Sequence, residues 1–157
     1  MESGFKDVAL PDGPLAFRVP AHWREGEESD GTRTFHDAGA ATGVLRVKLF
    51  TFTSDQHVGA REAGRQLAVM DRVPGQRLEQ LPSGAALRTH HERTESGGER
   101  AVMHTWLLAR ADPPHRLRLA VFSLSIPEAQ AQSPGARRVL GDIDREVRAA
   151  RLTAPVN

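Results

Sequence analysis

Two histidines that face each other across a hairpin have the best-defined chemistry in this sequence. Gly97-Gly98 supplies the positive-φ pair of a two-residue hairpin loop. Strands over 85–95 and 99–110 then pair so that His91 faces His104, Thr89 faces Trp106 and Arg93 faces Val102. Two imidazoles at one cross-strand position can offer two nitrogens to a single metal. Zinc would need a third protein ligand, commonly His or a carboxylate. His36 and Glu92 qualify only by type, and Glu92 points with His90 to the face opposite His91. The alternative is a polar surface patch shared with Thr89 and Arg93. No metal or cofactor is expected; if a metal binds, His91 and His104 hold it. If the hairpin instead meets a partner, its contact residues are His91, His104, Trp106 and Arg93.

Other chemistries find no support. The 157 residues include no Cys, which excludes disulfides, thiolate zinc sites and thiol catalysis. No Gly-x-Ser-x-Gly elbow occurs, and Ser123 and Ser125 lie inside an apolar strand. Ser96-Gly97-Gly98-Glu99 is a hairpin turn, not a phosphate cradle. The formal charge of +1 comes from 21 basic and 20 acidic residues. It is slightly acidic over 1–100 and slightly basic over 101–157, too even a split to mark a nucleic-acid face. Six Phe and two Trp, with no Tyr, fall on core positions and offer no base-stacking platform. The start has no basic segment followed by an apolar one, and no window nears about 18 apolar residues. The expectations are a cytoplasmic location, no membrane insertion and no nucleic acid.

The elements that must position the hairpin follow from periodicity. Residues 5–19 read as one or two short strands around a Pro11–Pro14 turn, with Leu15, Phe17 and Val19 on one face. Trp23 tucks under the sheet rim. Residues 24–31, with four acidic groups and two glycines, read as a solvated loop, and 32–36 as a short strand. Over 44–53, Leu45, Val47 and Leu49 share one face, with Arg46, Lys48, Phe50 and Phe52 on the other. Apolar residues on both sides predict a strand covered twice. A helix over 56–70, capped by Ser54 or Asp55, buries Ala60, Ala63, Leu67 and Met70. Residues 77–81 form a strand, and 116–126 return antiparallel to the hairpin. Ser133-Pro134 starts a closing helix, where Ala136, Val139, Leu140, Ile143, Val147 and Ala150 recur on one face while Arg137, Asp144 and Arg148 point away. One domain over 1–152 and a loose tail from 153 complete the reading, with 151–152 themselves read as unpaired. The class is α+β: a mainly antiparallel sheet of six to seven strands with helices on its faces, an α/β/α sandwich.

The opening Phe17-Arg18-Val19-Pro20-Ala21-His22-Trp23 resembles the F-x-V/L-P-x-x-W start of PsbP-like domains. That fold is shared by the Ran-binding Mog proteins, by PsbP and by DcrB-type bacterial lipoproteins. The order of elements over about 8–152 also resembles that family. The resemblance implies an α/β/α sandwich acting in binding or assembly without catalysis. No family residue beyond Phe17, Pro20 and Trp23 can be matched, so no binding residue carries over, and the exported members' lipobox has no counterpart. The functional expectation is a non-enzymatic bacterial module that binds another protein, as a chaperone, adaptor or immunity-type partner. It would be a monomer or a homodimer formed at an open sheet edge. The alternative is a metal-binding protein or metal-dependent enzyme built on His91 and His104.

Overall fold

Alternating apolar residues build the first strands, and the charges between them select partners. The computed structural model describes residues 4–10, 15–37, 43–59, 61–70 and 74–152. β1 (Phe5–Ala9) and β2 (Leu15–Pro20) pair antiparallel, with Leu15, Phe17 and Val19 buried on one side of β2. Trp23 is buried as expected. The acidic stretch 24–31 is not simply a loop: it opens with β3 (Arg24–Glu27), paired to β4 (Arg33–His36). Three of its four carboxylates also find cations. Glu25 lies 3.6 Å from both Lys6 and Arg33, Glu28 is 3.1 Å from Arg46, and Asp30 is 3.2 Å from Lys48.

β5 (Val44–Thr53) runs for ten residues and leads to α1 (Glu62–Val69). The helix is shorter than predicted, and Ser54 does not cap it. Residues 54–58 are drawn into the turn near Pro114 instead: Ser54 N–H donates to His115 O at 2.8 Å and Val58 N–H to Pro114 O at 2.6 Å. These bonds hold the segment against the 113–115 turn in a non-helical course, and the helix starts only after it. Ala63 and Leu67 are buried on the predicted stripe, whereas Ala60 lies outside the described residues. β6 (Arg77–Gln80), β7 (Ala86–Ser96), β8 (Glu99–Asp112) and β9 (Arg116–Pro127) follow, with His91 opposite His104 and Thr89 opposite Trp106 as the Gly97-Gly98 turn demands. α2 (Pro134–Arg148) is capped by Ser133, whose Oγ accepts from Ala136 N–H at 3.1 Å. Arg151 and Leu152 are not part of a tail: they form β10 (Arg151–Leu152), paired to β2. The loose tail expected from 153 lies outside the described residues.

Seven strands join in the order β3-β4-β5-β9-β8-β7-β6, which puts β9 at the centre, and β1-β2-β10 form a second sheet. Residues of the two apolar clusters alternate along the same strands, so they occupy opposite faces of the large sheet. Leu87, Trp106, Leu108, Phe122 and Leu124 pack with Ile143 and Val147 of α2 and with the small sheet. Ala86, Leu107, Ala109 and Leu119 pack with Ala63 and Leu67 of α1. Phe17 locks the small sheet down through edge-on contacts to Phe35 at 5.6 Å and Phe122 at 5.3 Å. Beside it, Arg18 forks onto the buried carboxylate of Glu146, with bonds of 2.9 and 3.2 Å, a strong bidentate geometry. None of the helices among the described residues is long and apolar enough to cross a membrane.

Candidate functional site

The hairpin register places the predicted residues on one side of the sheet, the side that carries α2. His91 and His104 stack obliquely, ring centroids 5.5 Å apart, and His104 lies 6.4 Å from the Trp106 ring. The three rings line a groove of about 540 Å³ between the sheet and α2, and Arg77, Arg137 and Asp144 also face it. Trp106 is a core residue at the foot of this groove: it is 3% exposed, and its Nε1–H donates to Asp144 Oδ1 at 3.0 Å. Asp144 therefore turns toward the sheet, contrary to the periodicity argument that points it away. A helix-face assignment sees apolar positions, and an indole N–H can recruit a carboxylate at the edge of the stripe. Arg93 is exposed two residues beyond His91 and does not line the groove.

The structure adds no third metal ligand to the histidine pair. Among the described residues no three His, Asp or Glu side chains gather as ligands. Glu92 projects from the other face of β7. His36 stands on β4, three strands from β8 in the sheet order. Two guanidiniums on the walls further disfavour a cation there.

Burial, and then the neighbouring His91, push the imidazole of His104 below its usual pKa. His90, on the α1 side, is lowered by burial and by Arg88, with His91 adding to it; its Nδ1 is buried without a hydrogen-bond partner. Both effects favour the neutral ring in the folded state. Between these lowered values and the ordinary His value of about 6.5, the unfolded chain binds more protons than the folded one. Stability is therefore full above that ordinary value and falls as the pH drops through the lowered ones. The expected result is a urea midpoint that declines from pH 7.5 to pH 5. His104→Gln should flatten part of that decline; an unchanged slope in the variant would remove His104 as a cause.

A second feature was missed by the sequence reading. The α1 face of β5 was expected to be covered, yet Phe50 and Phe52 stand 37% and 49% exposed. Their rings stack 6.3 Å apart with planes 17° from parallel, and Lys48 Nζ lies 5.3 Å over Phe50. α1 packs mainly on β7 and β8, to one side of them. Phe52 instead forms the rim of a cleft of about 480 Å³ lined by Val58, Leu67, Met70, Leu117 and Leu119. The alternation that revealed the strand also placed both rings on one face; that α1 would settle over β7 and β8 and leave β5 open was not visible in periodicity.

This arrangement, an antiparallel sheet with a helix on each face and a small sheet beside one helix, is similar in fold to several solved structures. The Saccharomyces cerevisiae Ran-binding protein Mog1p is similar over 96% of both chains, at 14% identity and a TM-score of 0.53. LpqN of Mycobacterium tuberculosis, a protein involved in cell envelope biogenesis, is similar over 96% of this chain and 91% of its own, at 11% identity and a TM-score of 0.60. A protein of Bacteroides thetaiotaomicron VPI-5482 gives a TM-score of 0.63 at 17% identity, covering 98% of this chain. This chain spans 50% of the Bacteroides protein's length. No protein-family model matches the chain, and no curated protein matches it. Likenesses at these identities establish the Mog-type fold; the narrower PsbP and DcrB assignments go beyond them.

Proposed function

We propose that this chain is a non-catalytic module that binds another protein, in the manner of a chaperone, adaptor or immunity-type partner. Its docking face is the α1 side of the seven-strand sheet. The observation that carries the reading is the exposed, stacked Phe50–Phe52 pair on the rim of the α1 cleft. Large apolar side chains that stay in water within a fold otherwise able to bury its aromatics mark a contact surface. Lys48, paired with Asp30, lies over the Phe50 ring and gives the apolar surface a polar edge, which fits an apolar partner segment with a polar rim. Among proteins of this fold, Mog1p is itself described as Ran-binding, which is in keeping with a binding role. The reading takes the setting to be the bacterial cytoplasm.

The double variant Phe50→Ser/Phe52→Ser tests it. Both rings are already substantially exposed, so the melting temperature should hold within the usual range for surface changes, about 0.5 kcal/mol. A partner captured by the wild-type chain from cells of its source should be lost or weakened by about tenfold or more, since buried aromatics dominate such interfaces. A partner retained at full strength by the variant sinks the proposed face. The edge strands β3 and β6 have four residues each and carry charged side chains, features that discourage edge-to-edge pairing of two copies. Light scattering that finds a stable dimer would move the proposal to the homodimeric alternative.

A further inference from the structure

The groove at His91 and His104 lies on the sheet face opposite the Phe50–Phe52 surface, and its chemistry is different. Its charged lining is mostly basic. Arg77 on β6 makes no close ion pair with a described carboxylate, although its charge helps to hold the nearby Glu79 ionised, and Arg137 on α2 spends one N–H on the neutral amide of Gln132, at 2.8 Å. The one carboxylate in the lining, Asp144, is already occupied. Its Oδ1 accepts from Trp106, and its Oδ2 accepts from Arg148 Nε at 2.9 Å. Arg148 also forks onto Glu79, the other acid on this side of β6, at 2.6 and 3.3 Å. Arg148 thus answers one of these two negative charges, and Arg77 and Arg137 together exceed the other, so the groove keeps a net positive charge. Thr89, opposite Trp106, adds a hydroxyl to the same lining. Gly141 leaves its part of the α2 wall bare: a Cβ placed there would meet nothing within 4 Å.

We infer that this groove is a binding site for a multivalent oxyanion of the phosphate or polycarboxylate class, held by Arg77 and Arg137 and hydrogen-bonded by His91, His104 and Thr89. Guanidinium forks match such oxygens in geometry as well as charge. The imidazoles donate to an anion when protonated, and a bound anion reverses the effects that hold His104 neutral. Binding therefore tightens as the pH falls through the range in which His104 gains its proton. The other charged groups on this side of the hairpin, β6 and the facing turn of α2 include Glu79, Arg93, Glu95, Arg100, Arg110, Asp144 and Arg148; Glu79 and Asp144 stay paired with Arg148, and Glu95 with Arg100.

The test follows the ring-proton resonances of His91 and His104 at pH 6 during titration with orthophosphate and, separately, malonate. Sodium chloride at matched ionic strength serves as control. The expected result is a saturable shift of both rings with one of the two anions, a raised titration midpoint for His104, and no such change in chloride. The tighter anion assigns the class. Arg77→Gln/Arg137→Gln should weaken binding by about tenfold or more, because charge-assisted bonds are lost. Gly141→Glu, which adds a carboxylate where there is open space, should abolish binding with the fold intact by circular dichroism. Equal shifts in chloride, or undiminished affinity in Gly141→Glu, would overturn the inference. Saturation by zinc chloride but by neither anion would assign the groove to a cation instead.

Discussion

Replacing Trp106 with alanine should lower the unfolding free energy by about 3–5 kcal/mol, the range for losing a buried large aromatic. The indole is 3% exposed and belongs to the cluster that joins β8, β9 and the small sheet to α2. Its removal leaves a void that neighbouring Leu108 and Phe122, both fully buried, have little room to fill. The lost Nε1–H bond to Asp144 contributes less. That carboxylate is 40% exposed and keeps Arg148, so water can replace the indole as donor. Trp106→Phe separates the two effects. It keeps most of the volume and should lose only about 1 kcal/mol for the missing hydrogen bond. Urea denaturation of the three proteins at pH 7.5 measures both steps. A loss below about 1.5 kcal/mol for Trp106→Ala would show that the ring supports the groove and not the core.

The hairpin was readable because its information is local. Gly97-Gly98 dictates the turn, the turn dictates the register, and the register brings His91 to His104 with no knowledge of the rest of the chain. The closing helix was readable for the same reason, through Ser133-Pro134 and one apolar stripe. What sequence could not show depends on distant partners. Arg151 and Leu152 become a strand only because β2 offers an edge, and two residues carry no periodic signal. Residues 24–27 pair with β4 because Lys6, Arg33, Arg46 and Lys48 arrive from three other strands to meet the acids around them. The start of α1 was misplaced because the backbone around residue 54 bonds to His115, which is remote in sequence. The candidate groove was half legible. Its histidines were found from register, but Arg77, Arg137 and Asp144 enter it from β6 and α2, whose placement beside the hairpin needs the folded sheet order.

Buried charge shows how the two faces differ in what holds them. On the α2 side the buried Glu146 is answered by Arg18 from the small sheet, so a charge pair helps fix the docking of β2 on the helix. Such pairs add little net stability but leave a costly unpaired ion when one member is removed. On the α1 side the buried cation is Arg88, and its partners are backbone carbonyls at the end of a helix. α1 has eight residues, no side-chain hydrogen bond at its N-cap and Gly64 in its middle. A helix of that length is not stable by itself.

Arg88→Ala should therefore cost about 2–4 kcal/mol and should loosen α1 in particular. The guanidinium Nη1 donates to Leu67 O and to Met70 O, both at 3.0 Å, and the side chain is 2% exposed. These carbonyls sit at the C-terminal end of the helix, where the backbone dipole favours a cation. Alanine leaves the buried Leu67 carbonyl without this donor and opens a hole beneath the helix. Arg88→Met refills the hole without restoring the donor, so it should recover part of the loss, and the remainder measures the polar contribution. Hydrogen exchange locates the effect: the Met70 amide, which donates to Gln66 O at 3.0 Å, should exchange much faster in Arg88→Ala, while amides in β8 and β9 speed up only as far as the global stability falls. Equal acceleration across α1 and the central strands would mean that Arg88 supports the whole sheet. Selective opening of α1 carries a functional consequence, because Leu67 and Met70 line the cleft beside Phe52. In that case partner binding should weaken in Arg88→Ala even under conditions where the sheet remains fully folded.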